Sequence, residues 1–472
     1  MLWLLLLGGT VPAAAQQRLP PEVIAALRSA DIAAEDMVAI VEEAGSAGAG
    51  TELLAWQARR PVNPASLMKL WPTLAGLELL GPAWRWKTPV WLTGTLPEPG
   101  SDAGIYNGDI VIRGSGDPTL VVERLWQMWM RLRQLGIREI RGDIVLDRSG
   151  FAAGTSAADP GEFDDEPLRP YNVQPDVLLF NHKAVHIGFR PEPARGIARL
   201  SVEPPLDGVR LPVSVPLKPG GCGNWRADLQ ADFSDPTQLR LGGAFPTACG
   251  EKRWSLAYPA PAEFNARLLV GLWHEMGGRF SGRVRGGVAP NTPPSFELES
   301  APLAEVVRDI NKFSNNVMAQ NLFLSLPLAL QGSGSVEGAR RVVVDWARPW
   351  LGDEVNTWLL DNGSGLSRHH RVSALALARL LQRAWSGPLM PEFFSSLPAS
   401  GIDGTLRRSS IPPGRAHLKT GSLRDVAGIA GHVLADNGRR YIVVAIINHP
   451  NANAARAALD QLASWAIRTP LR

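Results

Sequence analysis

Three stretches of this sequence set hydroxyls beside amines or amides at short, fixed spacings. Pro64-Ala65-Ser66-Leu67-Met68-Lys69 places Ser66 and Lys69 three residues apart, at what the pattern marks as the start of a helix. Residues at i and i+3 share a helix face, one turn apart. An amine held beside a hydroxyl can take its proton and leave a nucleophile. Ser314-Asn315-Asn316 offers a hydroxyl and a carboxamide two residues apart. Lys419-Thr420-Gly421-Ser422 opens a strand-like run with one amine and two hydroxyls. Each has a plainer reading alone. The first is a polar helix surface, the second a helix N-cap, the third a strand entry with a glycine bulge. Their weight comes from occurring together and in this order.

Lysine usage points to the same places. Of the 48 basic residues, 41 are Arg and 7 are Lys. A chain that uses Arg so freely keeps Lys where Arg cannot serve, because Lys can be tuned to lose its proton and Arg cannot. Three of the seven are Lys69, Lys312 and Lys419, in or beside the stretches above.

The elements that must position these groups span 472 residues, enough for two to four domains. With 45% hydrophobic and 20% charged residues the chain has an ordinary globular composition. A net charge of +3 and scattered basic residues exclude a nucleic-acid partner. Residues 1–15 form a short apolar run ending in Ala13-Ala14-Ala15. They are expected to be a secretory signal, although no Lys or Arg precedes the run. No later stretch has transmembrane length, so no membrane anchor is expected. In an exported protein the two cysteines, Cys222 and Cys249, are expected to form a disulfide. No Cys/His cluster has zinc spacing, so neither a metal nor a cofactor is expected.

Met37 to Gln57 is expected to form two strands around a Gly-rich turn. A helix through Leu70, Leu74, Leu77 and Leu80 should follow, with Pro72 kinking it or marking an irregular turn. Residues 90–293 read as a β-rich insert of two subdomains. After it, helices cover 304–326 (stopped by Pro327), 336–351 and 373–385. Strands at 416–434 and 439–448 flank Asn437-Gly438, a hairpin signal, and a helix closes the chain at 452–467. The expected fold is mixed α+β, an antiparallel sheet flanked by helices that draws on both chain ends. Residues 16–89 and 294–472 would build it.

Ser-x-x-Lys, Ser-x-Asn and Lys-Thr-Gly in this order are the signature of penicillin-recognising serine enzymes. The chain most closely resembles the class C low-molecular-mass penicillin-binding proteins, the D-alanyl-D-alanine carboxypeptidase/endopeptidase family. The 248-residue gap from Ser66 to Ser314 fits that family's large insert. Further matches are Asn311-Lys-Phe-Ser-Asn-Asn316, Gly363-Ser-Gly-Leu-Ser-Arg368, Leu397-Pro-Ala-Ser-Gly-Ile-Asp-Gly-Thr-Leu406 and His417-Leu-Lys-Thr-Gly-Ser422, with Tyr171-Asn-Val-Gln-Pro-Asp176 in the insert. The resemblance runs from about residue 35 to the end. Pro72 and Asn362 depart from the family's pattern.

The resemblance implies a transpeptidase-like domain that attacks peptidoglycan stem peptides outside the cytoplasm, in the periplasm or an equivalent exported location. Ser66 would form an acyl-enzyme, with Lys69 as its base and Ser314 passing a proton to the leaving amine. Asn316 would bind a substrate amide. Lys419 and Thr420 would hold the terminal carboxylate. Gly421 and Ser422 would border the substrate, with the Ser66 and Ser422 N–H groups as oxyanion hole. β-Lactams would acylate Ser66 in the same way. The competing readings are a β-lactamase-like hydrolase, which would lack the insert, and a non-catalytic wall-binding scaffold, which would be expected to have lost a motif residue.

Overall fold

The computed structural model describes residues 18–45, 52–98, 100–101, 103–155 and 161–468. The expected signal segment at 1–15 and most of the Gly-rich turn before Glu52 lie outside the described residues. The chain divides into two compact units. The first comprises the described residues within Met1–Ala83, Leu303–Asn315 and Arg340–Arg472; the second comprises those within Trp84–Pro302 and Asn316–Ala339. In the expected scheme residues 316–339 fall in the catalytic portion. In the structure they group with 84–302, where Leu324 packs against Phe151 and Val177.

The first unit is built on a five-stranded antiparallel sheet. Its strands are β1 (Met37–Glu43), β2 (Glu52–Trp56), β3 (Ala416–Leu423), β4 (Val426–Leu434) and β5 (Arg440–Asn448), in the order β3-β4-β5-β1-β2. Both chain ends therefore share one sheet. The first five residues of β1, Met37 to Val41, are fully buried. Such a continuous apolar run requires cover on both faces, because alternate side chains point opposite ways. Met37, Ala39 and Val41 face a cluster formed by helix α1 (Pro21–Arg28) and the closing helix α5 (Arg456–Arg468), through Val23, Leu27, Leu459 and Leu462. The opposite face is covered by α4 (Ala374–Ser386), whose Gln382 donates to Glu42 Oε1 (3.0 Å) and to the Glu43 carbonyl (2.7 Å). The hairpin joining β4 to β5 turns at Asn437-Gly438: Asn437 Oδ1 accepts from Arg439 N–H (2.9 Å) and Gly438 takes a left-handed φ of 80°.

Helix α2 (Leu70–Leu80) is buried on every side from Leu70 to Leu77, the mark of a helix inside a core. Pro72 does not break it. It is the third residue of the helix, where backbone N–H groups have no intrahelical partner to lose. The irregularity expected there is instead the change from a 3₁₀ turn, Ala65–Lys69, to α-helix. Trp71 packs at 4.0 Å between ring centroids against Trp358.

The second unit holds two five-stranded sheets. One is ordered Val284–Gly286, Ile144–Asp147, Ile110–Arg113, Lys87–Leu92, Phe296–Glu299. The other is ordered Phe245–Pro246, Ser214–Lys218, Ile197–Glu203, Ala184–Glu192, Lys252–Ala257. Helices Val122–Gln134 and Pro261–Glu275 meet through Trp129 and Trp273 in a buried cluster that runs under both sheets. Cys222 and Cys249 are disulfide-bonded, closing a loop of 27 residues beside the Phe189, Trp225 and Phe245 rings. In the loop-entropy account such a link contributes about 3–4 kcal/mol. Helix Asn316–Gln331 passes through Pro327 rather than stopping there. The bond Pro327 cannot make lies in the last two turns, and the buried packing of Leu322 to Pro327 outweighs it.

Among the described residues, no helix is long and apolar enough to cross a membrane, and no cluster of three or more His, Cys, Asp or Glu side chains could hold a metal ion.

Candidate active site

Ser66 and Lys69 sit on the 3₁₀ turn Ala65–Lys69 rather than on the expected α-helix. With three residues per turn, i and i+3 eclipse, so the turn stacks one side chain on the other. Lys69 Nζ lies 2.9 Å from Ser66 Oγ and donates to the Ser364 carbonyl at 2.5 Å. The turn enters α2 directly, and Thr73 Oγ1 donates to the Lys69 carbonyl (2.8 Å), so the lysine backbone is fixed to a buried helix.

Asn63 anchors the other end of the turn. Its Oδ1 accepts from Ala65 N–H (2.9 Å), its Nδ2 donates to the Ser367 carbonyl (2.8 Å), and its backbone exchanges two bonds with the Asn448 side chain at the end of β5 (2.8 and 3.0 Å). These bonds hold Ala65 at φ 48°, a left-handed conformation costly for a residue with a Cβ.

Strand β3 brings the third motif against this turn. A Cβ on Gly421 would lie 2.7 Å from the Pro64 carbonyl oxygen and 3.1 Å from Leu67 Cγ. The glycine of Lys-Thr-Gly is therefore a contact requirement: strand backbone and nucleophile turn touch there. Lys419 is fully buried. Its Nζ donates to Ser314 Oγ at 2.8 Å and to the Thr420 carbonyl at 2.7 Å. Ser314 has left the helix α3 (Leu303–Phe313) and sits at φ 56°, again left-handed. With its backbone so turned, its hydroxyl meets Lys419.

The remaining predicted residues lie as follows. Thr420 Oγ1 hydrogen-bonds Thr405 Oγ1 at 2.7 Å. Ser422 Oγ donates to Asn453 Oδ1 (3.0 Å) and accepts from Arg456 (2.8 Å). Asn316 opens the helix Asn316–Gln331 of the second unit, where its Nδ2 donates to the Tyr171 carbonyl at 2.9 Å. The first unit thus brings Ser66 to Lys69 and Ser314 to Lys419.

Burial governs the electrostatics. It pushes Lys69 well below the ordinary lysine range, and the charge of nearby Lys419 pushes the same way. Burial alone takes Lys419 down to about 7. The site therefore sets an amine whose neutral form burial favours beside a hydroxyl, and a second amine that is close to half protonated at neutral pH.

Lys312 is explained differently. It is buried and pairs with Asp403 at 2.6 Å, and Asp403 Oδ1 also accepts from Ala399 N–H (2.8 Å). This pair ties α3 to the loop that carries Thr405. The Lys312 pairing keeps the Asp403 carboxyl below the usual range despite its partial burial, which acts the other way.

Sequence reasoning assigned no role to Asn63, Ser364, Thr405 or Asn448. Ser364 and Thr405 lie inside Gly363–Arg368 and Leu397–Leu406, stretches that match the family without carrying an obvious chemical group. Each acts through one carbonyl or one hydroxyl, which no short pattern marks.

The D-Ala-D-Ala carboxypeptidase 3 (S13) family matches residues 24–469, so the chain belongs to that family and is a serine-type D-alanyl-D-alanine carboxypeptidase. Among relatives, the D-alanyl-D-alanine carboxypeptidase of Actinomadura sp. (strain R39) is 28% identical over 460 residues, covering 90% of this chain and 82% of that protein. The carboxypeptidase DacB of Mycolicibacterium smegmatis is 26% identical over 464 residues, covering 93% and 83%. Penicillin binding protein 4 (dacB) from Haemophilus influenzae has a similar fold, with a TM-score of 0.71 at 19% identity, over 93% of this chain and 99% of that one. That protein has also been solved in complex with a β-lactam.

Proposed function

We propose that Ser66 is the acylated nucleophile of this carboxypeptidase and Lys69 its general base. The observation that carries this is the 2.9 Å approach to Ser66 Oγ of a buried Lys69 amine whose neutral form burial favours. Lys69 takes the hydroxyl proton as Ser66 attacks the carbonyl of the penultimate D-Ala of a peptidoglycan stem peptide. Ser314, bonded to Lys419, passes a proton to the leaving D-Ala amine. Lys419 in its charged form and Thr420, braced by Thr405, hold the terminal carboxylate. Gly421 lets strand and nucleophile turn meet, and the N–H groups of Ser66 and Ser422 receive the developing oxyanion. Asn316 is assigned the substrate amide on its place in the Ser-x-Asn motif. Water then releases the shortened peptide. A D,D-endopeptidase activity on cross-links uses the same acyl-enzyme with a larger leaving amine.

On this reading residues 16–89 and 294–472 are the catalytic domain and residues 90–293 the insert, and the protein works outside the cytoplasm after removal of residues 1–15. β-Lactams acylate Ser66 and leave slowly. The test is labelling with fluorescent penicillin, followed by peptide mapping of the adduct. A stable adduct on Ser66 is expected. An adduct elsewhere overturns the assignment, rapid turnover of the label favours a β-lactamase-like hydrolase, and no label favours a non-catalytic scaffold.

A further inference from the structure

We propose that Asn362 is a positioning residue for Lys69: it shapes the loop 361–367 so that the Ser364 carbonyl grips the lysine amine. This rests on Lys69 being the base. A neutral lysine amine has two N–H bonds and one lone pair. A carbonyl acceptor can take only an N–H, so the Ser364 carbonyl, at 2.5 Å, restricts the rotation of the amine. With one N–H so held, rotation about that bond can turn the lone pair to Ser66 Oγ, 2.9 Å away. Once Lys69 has taken the serine proton, the same carbonyl stabilises the ammonium.

The loop holds this carbonyl through the Asn362 side chain. Its Oδ1 accepts from Ser364 N–H (3.0 Å), Gly365 N–H (2.9 Å) and Ser364 Oγ (2.9 Å), and its Nδ2 donates to the Leu366 carbonyl (3.0 Å). One side chain thus ties the two residues on either side of the Ser364 carbonyl. Gly365 seats the loop on the nucleophile turn: its φ is +84°, and a Cβ there would lie 2.0 Å from the Ala65 carbonyl oxygen. Behind Asn362 stands His370, fully buried, whose Nε2 is 3.3 Å from Asn362 Oδ1 and whose Nδ1 is 3.2 Å from Asp361 N. One tautomer donates from Nε2 to Asn362 and accepts Asp361 N–H at Nδ1; the other donates from Nδ1 to the Leu359 carbonyl, also 3.2 Å away. Burial holds His370 neutral, with its pKa pushed down to about 4. Arg340 donates to the Asp361 carbonyl (2.8 Å) and carboxylate (3.1 Å), bracing the loop's start.

The charged and titratable groups around Lys69 are Lys419 from β3 and, on the side of the loop, His370, Asp361 and Arg340. Lys419 lowers the Lys69 pKa; the Ser364 carbonyl opposes it by favouring the ammonium. Loosening the carbonyl should therefore move the Lys69 titration to lower pH, while the misdirected amine slows acylation.

The experiment measures penicillin acylation against pH for the wild type, Asn362→Gly and Asn362→Ser. Asn362→Gly removes all five side-chain bonds, the one from His370 included. It is expected to acylate about 10–100-fold more slowly, with the acidic limb of its profile displaced downward. Asn362→Ser keeps an acceptor for the Ser364 and Gly365 N–H groups and should recover part of both changes. A merely structural loss would lower the fraction of protein that labels and leave the limb in place. Should Asn362→Gly fail to fold, Asn362→Ser decides alone: a slower rate with a displaced limb supports the proposal, and an unmoved limb overturns it. Lys69→Arg separates the two levels. If that variant keeps the wild-type rate, the base assignment itself falls. If it is inactive while the Asn362 variants keep the wild-type limb, only the positioning role falls.

Discussion

Replacing Gly421 by Ala tests whether the third motif acts by touching the first. The added methyl would lie 2.7 Å from the Pro64 carbonyl oxygen, 3.1 Å from Leu67 Cγ and 3.5 Å from Ala65 Cβ. Relaxed carbon–oxygen contacts lie at about 3.3–3.6 Å, so strand and turn must separate by about 0.6–0.9 Å. Little can absorb this. Pro64 O accepts from Leu67 N–H (3.2 Å), Ala65 is tied to Asn63, and β3 is paired along its length with β4. The displacement therefore passes to Ser66. A 1 Å misplacement of a reacting group can cost about 100-fold, so a loss of about 10–100-fold in acylation is expected, about 1.4–2.7 kcal/mol at the transition state. Overpacking should also lower folding stability by about 1–3 kcal/mol. The assay is the rate of fluorescent-penicillin labelling of Ser66, with the melting temperature alongside. Gly286→Ala is the control: nothing lies within 4 Å of its Cβ, and it should change neither. A Gly421→Ala variant that labels at the wild-type rate and melts unchanged would refute the contact argument.

Two further outcomes are expected. Because Lys419 titrates at about 7, its charge, and with it the affinity for peptides ending in a free carboxylate, should fall as pH rises through that value. A matched amide-terminated peptide should show no such fall, and equal pH dependence of the two kcat/KM profiles would remove Lys419 from carboxylate binding. The same site shapes stability: unfolded lysine keeps its proton to about pH 10.4, so above about pH 7 the unfolded chain binds more protons than the folded one, and this contribution to stability rises with pH. Finally, replacing both Cys222 and Cys249 by Ser should destabilise the second unit by about 3–4 kcal/mol while Ser66 labels at its usual rate; unchanged denaturant melting would show the link to be energetically idle.

What the sequence determined by itself is local chemistry and periodicity. Ser66 and Lys69 meet because three residues of one turn separate them, so their pairing was legible without a fold. The alternating and continuous apolar runs of β1, β4 and β5 and the Asn437-Gly438 turn placed the sheet for the same reason: each signal lies within a few residues. Even locally, competing terms mattered. Pro72 reads as a breaker, yet it sits in a first turn where its missing N–H costs nothing, and Pro327 stays inside a helix whose buried face outweighs one lost bond. Tertiary structure alone decided the contacts made across the chain. Lys419 meets Ser314 across 105 residues. The Ser364 carbonyl reaches Lys69 from 295 residues away, and Asn448 clamps Asn63 from 385. Burial, which sets both lysine pKa values, likewise exists only once the sheet and helices have closed around the amines. The physical reason is range. Backbone propensity and side-chain period act over one or two turns, whereas desolvation and the contacts that orient a base depend on segments the sequence holds hundreds of residues apart.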